Sequence, residues 1–216
     1  MLLTAAQILA ALEPHVRFPS VLHGPPHWAR VRRFGTLLAA RVALPPEAHA
    51  CVELFAWLHD LAREDDAASR RHAVDGAAQI DAILPVIADP LTPDQVETLR
   101  AAIHHHSDGM VAARAWEVGA FDRIGWPRDL VVATVGCCWD ADRLDLPRVG
   151  VAPAEQFMST PVWRDVQPLA ARIHAGGVTS AGTVSTTYDP SGVARQQAYE
   201  QHVGSGAKAV DVWPRG

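Results

Sequence analysis

In Cys51-Val52-Glu53-Leu54-Phe55-Ala56-Trp57-Leu58-His59-Asp60, the residues Val52, Phe55, Ala56 and His59 fall at i, i+3, i+4 and i+7, one face of a helix. His59 therefore extends an apolar stripe and points inward, and Asp60 follows it directly. A carboxylate so near a core is costly unless it meets a cation or donors. A divalent metal satisfies both groups, since a neutral imidazole and a carboxylate are good ligands for several such ions. An isolated His-Asp pair also fits a plainer reading, in which the Asp is solvated at a helix end and the His simply packs.

Two other segments repeat the pattern. His27, Val31, Phe34 and Leu38 fall at i, i+4, i+7 and i+11 in a run to about Arg41 that follows Pro25-Pro26. Val131, Val135, Cys138 and Asp142 share a face in a run from Arg128 to about Leu144, whereas Asp140 lies nearly opposite. Three helices thus each carry a metal-capable group at the end of an apolar stripe. Water would fill the open positions, as a catalytic metal site requires.

The remaining punctuation is also helical. Pro45-Pro46 precedes the run from Glu47 to about Ala62, as suits proline in a first helical turn. Ser69 caps a helix expected to end near Leu84, before Pro85. Thr92-Pro93-Asp94-Gln95 has the capping-box form and opens another. Gln156 to Ile173 holds one more, interrupted at Pro161 and Pro168. A short helix is expected within Met1–Leu12. No stretch alternates well enough to be read as a strand. The class expected is all-α, a compact helical bundle over residues 1–174, followed from Ala175 to Gly216 by a Gly/Ser/Thr-rich tail, irregular or disordered.

The 216 residues suffice for one sizeable core. A formal net charge of -5 lacks the basic footprint of a duplex nucleic-acid binder. The N-terminal run has neither the positive start of a secretory leader nor the length of a membrane span. Cys51, Cys137 and Cys138 are too few for a disulfide framework, so a reducing, cytoplasmic setting is expected. No glycine-rich Walker loop occurs.

Three phrases carry a resemblance: His23-Gly24-Pro25-Pro26-His27-Trp28-Ala29-Arg30-Val31, Leu54 to Asp60, and Cys138-Trp139-Asp140-Ala141-Asp142-Arg143-Leu144-Asp145-Leu146. The order His, His-Asp, Asp on successive helices resembles the HD superfamily of metal-dependent phosphohydrolases, and the phrases resemble an uncharacterised bacterial branch of it. The resemblance covers roughly residues 20 to 160. It implies metal ligands at His27, His59, Asp60 and Asp142, with Asp140 the alternative to Asp142. It further implies hydrolysis of a phosphomonoester or phosphodiester, perhaps of a nucleotide, by a metal-activated water. The cofactor would be one or two ions of Mn, Ni, Co, Zn, Mg or Fe, and the partner a small phosphorylated substrate.

Some members of that superfamily recruit further histidines for a second metal. His72, His106 and His105 are the candidates for a second metal or a phosphate contact. Each is equally readable as a solvated neighbour of arginines or as a helix end where positive charge suits the dipole. Arg63, four residues after His59, is placed to clamp a phosphate. Glu64 or Asp65 would orient the attacking water, unless the acidic loop is only solvated. His23 and Arg30 are candidates for the site rim. Two other classes stay open: a di-iron oxygenase of the same fold, and a non-enzymatic nucleotide-sensing module.

Overall fold

The computed structural model describes residues 3–67 and 69–175. They form eight α-helices and no strand: α1 (Ala5–Leu12), α2 (Pro25–Arg41), α3 (Pro46–Leu58), α4 (Arg71–Ile87), α5 (Pro93–His105), α6 (Ala112–Glu117), α7 (Arg128–Arg143) and α8 (Trp163–His174). Three single 3-10 turns join them, at Glu13–His15, Leu146–Val149 and Glu155–Phe157. The all-α bundle is as the periodicity predicts. The tail expected from Ala175 onward lies, past that residue, outside the described residues.

The starts of α1, α2, α3 and α5 follow the proline and capping chemistry, whereas α4 starts at Arg71 with Arg70, not Ser69, at its N-cap and no side-chain cap. Prolines occupy the first turns of α2, α3 and α5. Thr92 accepts from the Gln95 amide while the Gln95 side chain accepts from Thr92 N, a reciprocal box that opens α5. Gly24 precedes α2 where the chain doubles back so tightly that a Cβ would lie 2.0 Å from the Ser20 carbonyl oxygen.

Several boundaries differ from expectation, each for a local reason. α3 stops at Leu58, not Ala62, but His59 keeps right-handed helical angles and its N–H still donates to Phe55 O at 3.0 Å. The helical phase that turns His59 inward therefore survives. α4 runs through Pro85 to Ile87, since a proline in the last turn removes only one ladder bond and Ala88 N closes the end on Leu84 O. α8 likewise runs through Pro168. The six-residue α6 has no counterpart in the sequence reading.

The core lies where α2, α3, α5 and α7 pack on one another, with α4 against α5 and α8 against α2. Trp28, Phe34, Phe55 and Trp139 fill it, each at most 1% exposed. Gly35 of α2 lets α3 approach closely, since a Cβ there would lie 2.7 Å from Val52 Cγ1. Cys51, Cys137 and Cys138 are free and buried in the same region, and burial raises all three thiol pKa values, that of Cys51 to about 12. No helix of the described residues is long and apolar enough to cross a membrane.

Candidate functional site

One end of this packing gathers polar side chains. His27 is the third residue of α2, His59 and Asp60 follow α3, His72 is the second residue of α4, His106 follows α5, and Asp142 is the penultimate residue of α7. His27, His59, Asp60, His72 and His106 are buried, and the Asp142 side chain is 16% exposed. Five segments distant in sequence therefore converge on one point, each at or near a helix end.

The convergence has a definite geometry. His27 Nε2 lies 2.9 Å from His59 Nε2, 3.5 Å from Asp60 Oδ2 and 3.3 Å from Asp142 Oδ1. His59 Nε2 lies 3.6 Å from Asp60 Oδ2 and 3.7 Å from Asp142 Oδ1. Bonds of about 2.1 Å to one ion would set neighbouring ligands about 3.0 Å apart at right angles and about 3.4 Å apart at tetrahedral angles. These spacings fit. The other oxygen of Asp60, Oδ1, faces a different pair: His72 Nε2 at 3.2 Å and His106 Nε2 at 3.7 Å, themselves 3.0 Å apart. Two groups that could hold an ion result, His27-His59-Asp60 and Asp60-His72-His106, with Asp60 common to both.

The far sides of the rings fix which nitrogen faces inward. His59 Nδ1 lies 3.2 Å from Phe55 O, and His106 Nδ1 lies 2.7 Å from Ile103 O. A carbonyl only accepts, so both Nδ1 atoms carry the hydrogen and both Nε2 lone pairs face the cluster. His27 Nδ1 meets Asp145 Oδ2 at 2.7 Å. Arg30 grips Asp145 with Nε at 2.7 Å and Nη2 at 2.9 Å, so a fully buried carboxylate orients the His27 ring.

Electrostatics follow from that packing. Burial and Arg148 push the His27 imidazole down, but the hydrogen-bonded carboxylates Asp142, Asp145 and Asp60 prevail and raise it to about 9. Burial takes His59 down to about 3. One proton is thus held on His27 Nε2 and offered to the bare Nε2 of His59. Burial opposes ionisation of Asp60 and Asp142, yet the histidines around them hold both below the ordinary carboxylate range. Ionised Asp60 and Asp142 and a neutral His59 suit a divalent ion, which would have to displace the His27 proton.

The cluster floors a cavity of about 570 Å³. Asp60, Asp142, His72 and His106 line it, together with His23, Arg63, Asp66, Arg70, Arg143 and Arg148. His23 Nδ1 lies 3.0 Å from Asp60 Oδ2 and 3.2 Å from Arg148 Nη2. Arg63 donates to Asp60 Oδ1 at 2.9 Å and to Ala67 O at 3.1 Å, so it braces the Asp60 carboxylate at the cavity wall.

Other candidates are not brought into this group. His105 faces Asp108 at 2.7 Å and lines a separate cavity. Glu64 is exposed and pairs with Arg17, and Asp65 accepts from Ala67 N within its own loop. Neither lines the 570 Å³ cavity. Arg30 lies behind His27, occupied by Asp145, and does not line that cavity either. Asp140, the alternative to Asp142, instead accepts from Ser159 N, Thr160 N and Thr160 Oγ at 2.7–2.8 Å.

Two residues escaped the sequence reading. Asp145 stands one turn beyond Asp142, a spacing that would have placed it on the same face. Arg148 follows a further three residues on, in a 3-10 turn that the apolar pattern of α7 does not reach. No protein-family model matches this chain, and no curated protein or solved structure does so.

Proposed function

We propose that the chain is a metal-dependent phosphohydrolase of the HD kind, cleaving a phosphomonoester or phosphodiester. The observation that carries this reading is the divided Asp60 carboxylate, with Oδ2 toward His27 and His59 and Oδ1 toward His72 and His106. His27, His59, Asp60 and Asp142 would hold one divalent ion, and Asp60, His72 and His106 a second. Metal bound there supplies an activated water at neutral pH and positive charge against phosphoryl oxygens.

The chain's own residues do the rest. Asp145 and Arg30 keep the His27 ring turned with Nε2 inward. Phe55 O and Ile103 O do the same for His59 and His106. Arg63 holds Asp60 so that each oxygen keeps its own side. Arg148 brings a guanidinium to the cavity, where its unpartnered Nη1 suits a phosphoryl oxygen and its charge offsets that of Asp142. The cavity volume suits a small phosphorylated substrate.

The test is hydrolysis of aryl phosphate mono- and diesters by protein stripped of metal and then given Mn, Ni, Co, Zn, Mg or Fe, beside Asp60→Ala. Activity restored by metal and absent in the variant is the expected result. A protein that binds no metal would sink the reading. The shared Asp60 between two histidine pairs also suits a second reading, a di-iron oxygenase. Iron at two per chain, visible colour and oxygen uptake, without hydrolysis of any ester, would favour it.

A further inference from the structure

The cavity beside the metal-capable cluster is lined by two unlike kinds of group. Arg148 is the charged kind: its side chain is only 6% exposed, it donates from Nε to Leu22 O at 2.8 Å, its Nε lies 3.7 Å from Asp145 Oδ2, and its Nη2 lies 3.2 Å from His23 Nδ1. Its Nη1 is buried with no hydrogen-bond partner. A buried guanidinium N–H left unmatched is costly, and an anion is the chemistry that completes it.

The other kind is apolar and exposed. Val149, Val151 and Phe157 all line the cavity, yet they are 37%, 50% and 39% exposed. Half of the exposed large hydrophobic side chains among the described residues therefore stand on one short segment at one cavity. Isolated exposed apolar residues need no explanation, but a group of them rimmed by charge marks a binding surface.

This wall is fixed to the cluster. Arg143 Nη1 donates to Phe157 O and Nη2 to Met110 O, the latter at 2.7 Å. Asp140 holds Ser159 N and Thr160 N, each at 2.7 Å. Met158, between them, is buried in the core, while Phe157 beside it is exposed. Asp140, Asp142 and Arg143 occupy one turn of α7. The turn that presents Asp142 to the metal position thus also pins the strip carrying the Phe157 ring.

We infer that Val149, Val151 and Phe157 form a preset recognition wall for the organic part of the substrate, and that the substrate is a phosphate ester of a flat, aromatic alcohol, its phosphate directed to Arg148 and the cluster. This rests on the phosphohydrolase reading and adds the substrate class to it. A polyol phosphate would leave the wall wet and gain nothing from it.

The experiment measures binding and turnover of naphthyl phosphate and of glycerol phosphate by metal-loaded full-length protein, wild type and Phe157→Ala. Binding is read by calorimetry, and metal affinity of the variant is checked separately. Covering one face of the ring predicts that naphthyl phosphate binds about tenfold more tightly than glycerol phosphate. Phe157→Ala removes most of that preference, with glycerol phosphate affinity and metal affinity unchanged. Val151→Asn, neutral, also exposed and outside the core, weakens naphthyl phosphate selectively. Equal affinity for the two esters, or an equal loss for both in the variants, overturns the recognition wall and leaves the hydrolase reading standing. Failure of the metal-loaded protein to bind or hydrolyse either ester overturns both.

Discussion

Asp145 lies outside the metal-capable group of His27, His59 and Asp60, yet it orients His27 within it. Its carboxylate is fully buried, held by Arg30, and faces His27 Nδ1 at 2.7 Å. Replacing it with Asn keeps the shape and removes the charge. Asp145→Asn should therefore lower metal affinity by about 10- to 100-fold, measured by competition with a chromophoric chelator. His27 supplies a second prediction. Raised to about 9, it carries a proton at pH 7 in metal-free protein, and an ion must displace it. Calorimetry in buffers of different ionisation enthalpy should show about one proton released from this residue by the ion bound at the His27-His59-Asp60 group, the number falling toward zero above pH 9. The stability consequence has a definite sign. A histidine raised above its ordinary 6.5 stabilises the fold fully below pH 6.5 and loses that contribution as pH rises through about 9. Metal-free protein should accordingly melt at lower temperature at pH 9 than at pH 6.5, and saturating metal should flatten that slope.

At the scale of elements, close helix approach replaces bulk. Gly35 against Val52 is the tightest case between helices, and Val52 is β-branched and 1% exposed, so it has little room to turn aside. Gly35→Ala gains about 1 kcal/mol of helix propensity. Overpacking at a site so confined costs about 1–3 kcal/mol and outweighs it. A net loss of about 1 kcal/mol is expected in urea unfolding. The elements also show what was readable beforehand. The stripes through Val52-Phe55-His59 and Val135-Cys138-Asp142 have helical period, and they place their last residues correctly because burial imposes that period. Proline misled where it falls in a last turn, as at Pro85, since sequence does not show that a helix has only two residues left to run. α6 is too short to develop a period. Arg148 was invisible for a related reason: its position depends on a 3-10 turn meeting Leu22, a contact between segments 126 residues apart.

At the scale of the described residues, the metal-capable side chains gather at one end of the bundle. His27, His59 with Asp60, His72, His106 and Asp142 belong to five segments that span most of the bundle. Ions held there would cross-link α2, the end of α3, α4, the end of α5 and α7, and unfolded chain cannot reproduce that arrangement. At free metal a hundredfold above Kd the native state should gain about 2.7 kcal/mol per site, seen as a rise in Tm with metal concentration in scanning calorimetry. Asp60 shared between two sites should make that rise shallower than independent sites would give, since the first ion's charge repels the second across one carboxylate.

Cys51, Cys137 and Cys138 sit inside the same bundle, free, buried and with their thiols pushed far from ionisation. An alkylating reagent in solution meets none of them until the helices part. The three sulfurs are therefore a native clock on core breathing, and whatever ties α2, α3 and α7 together would slow that clock.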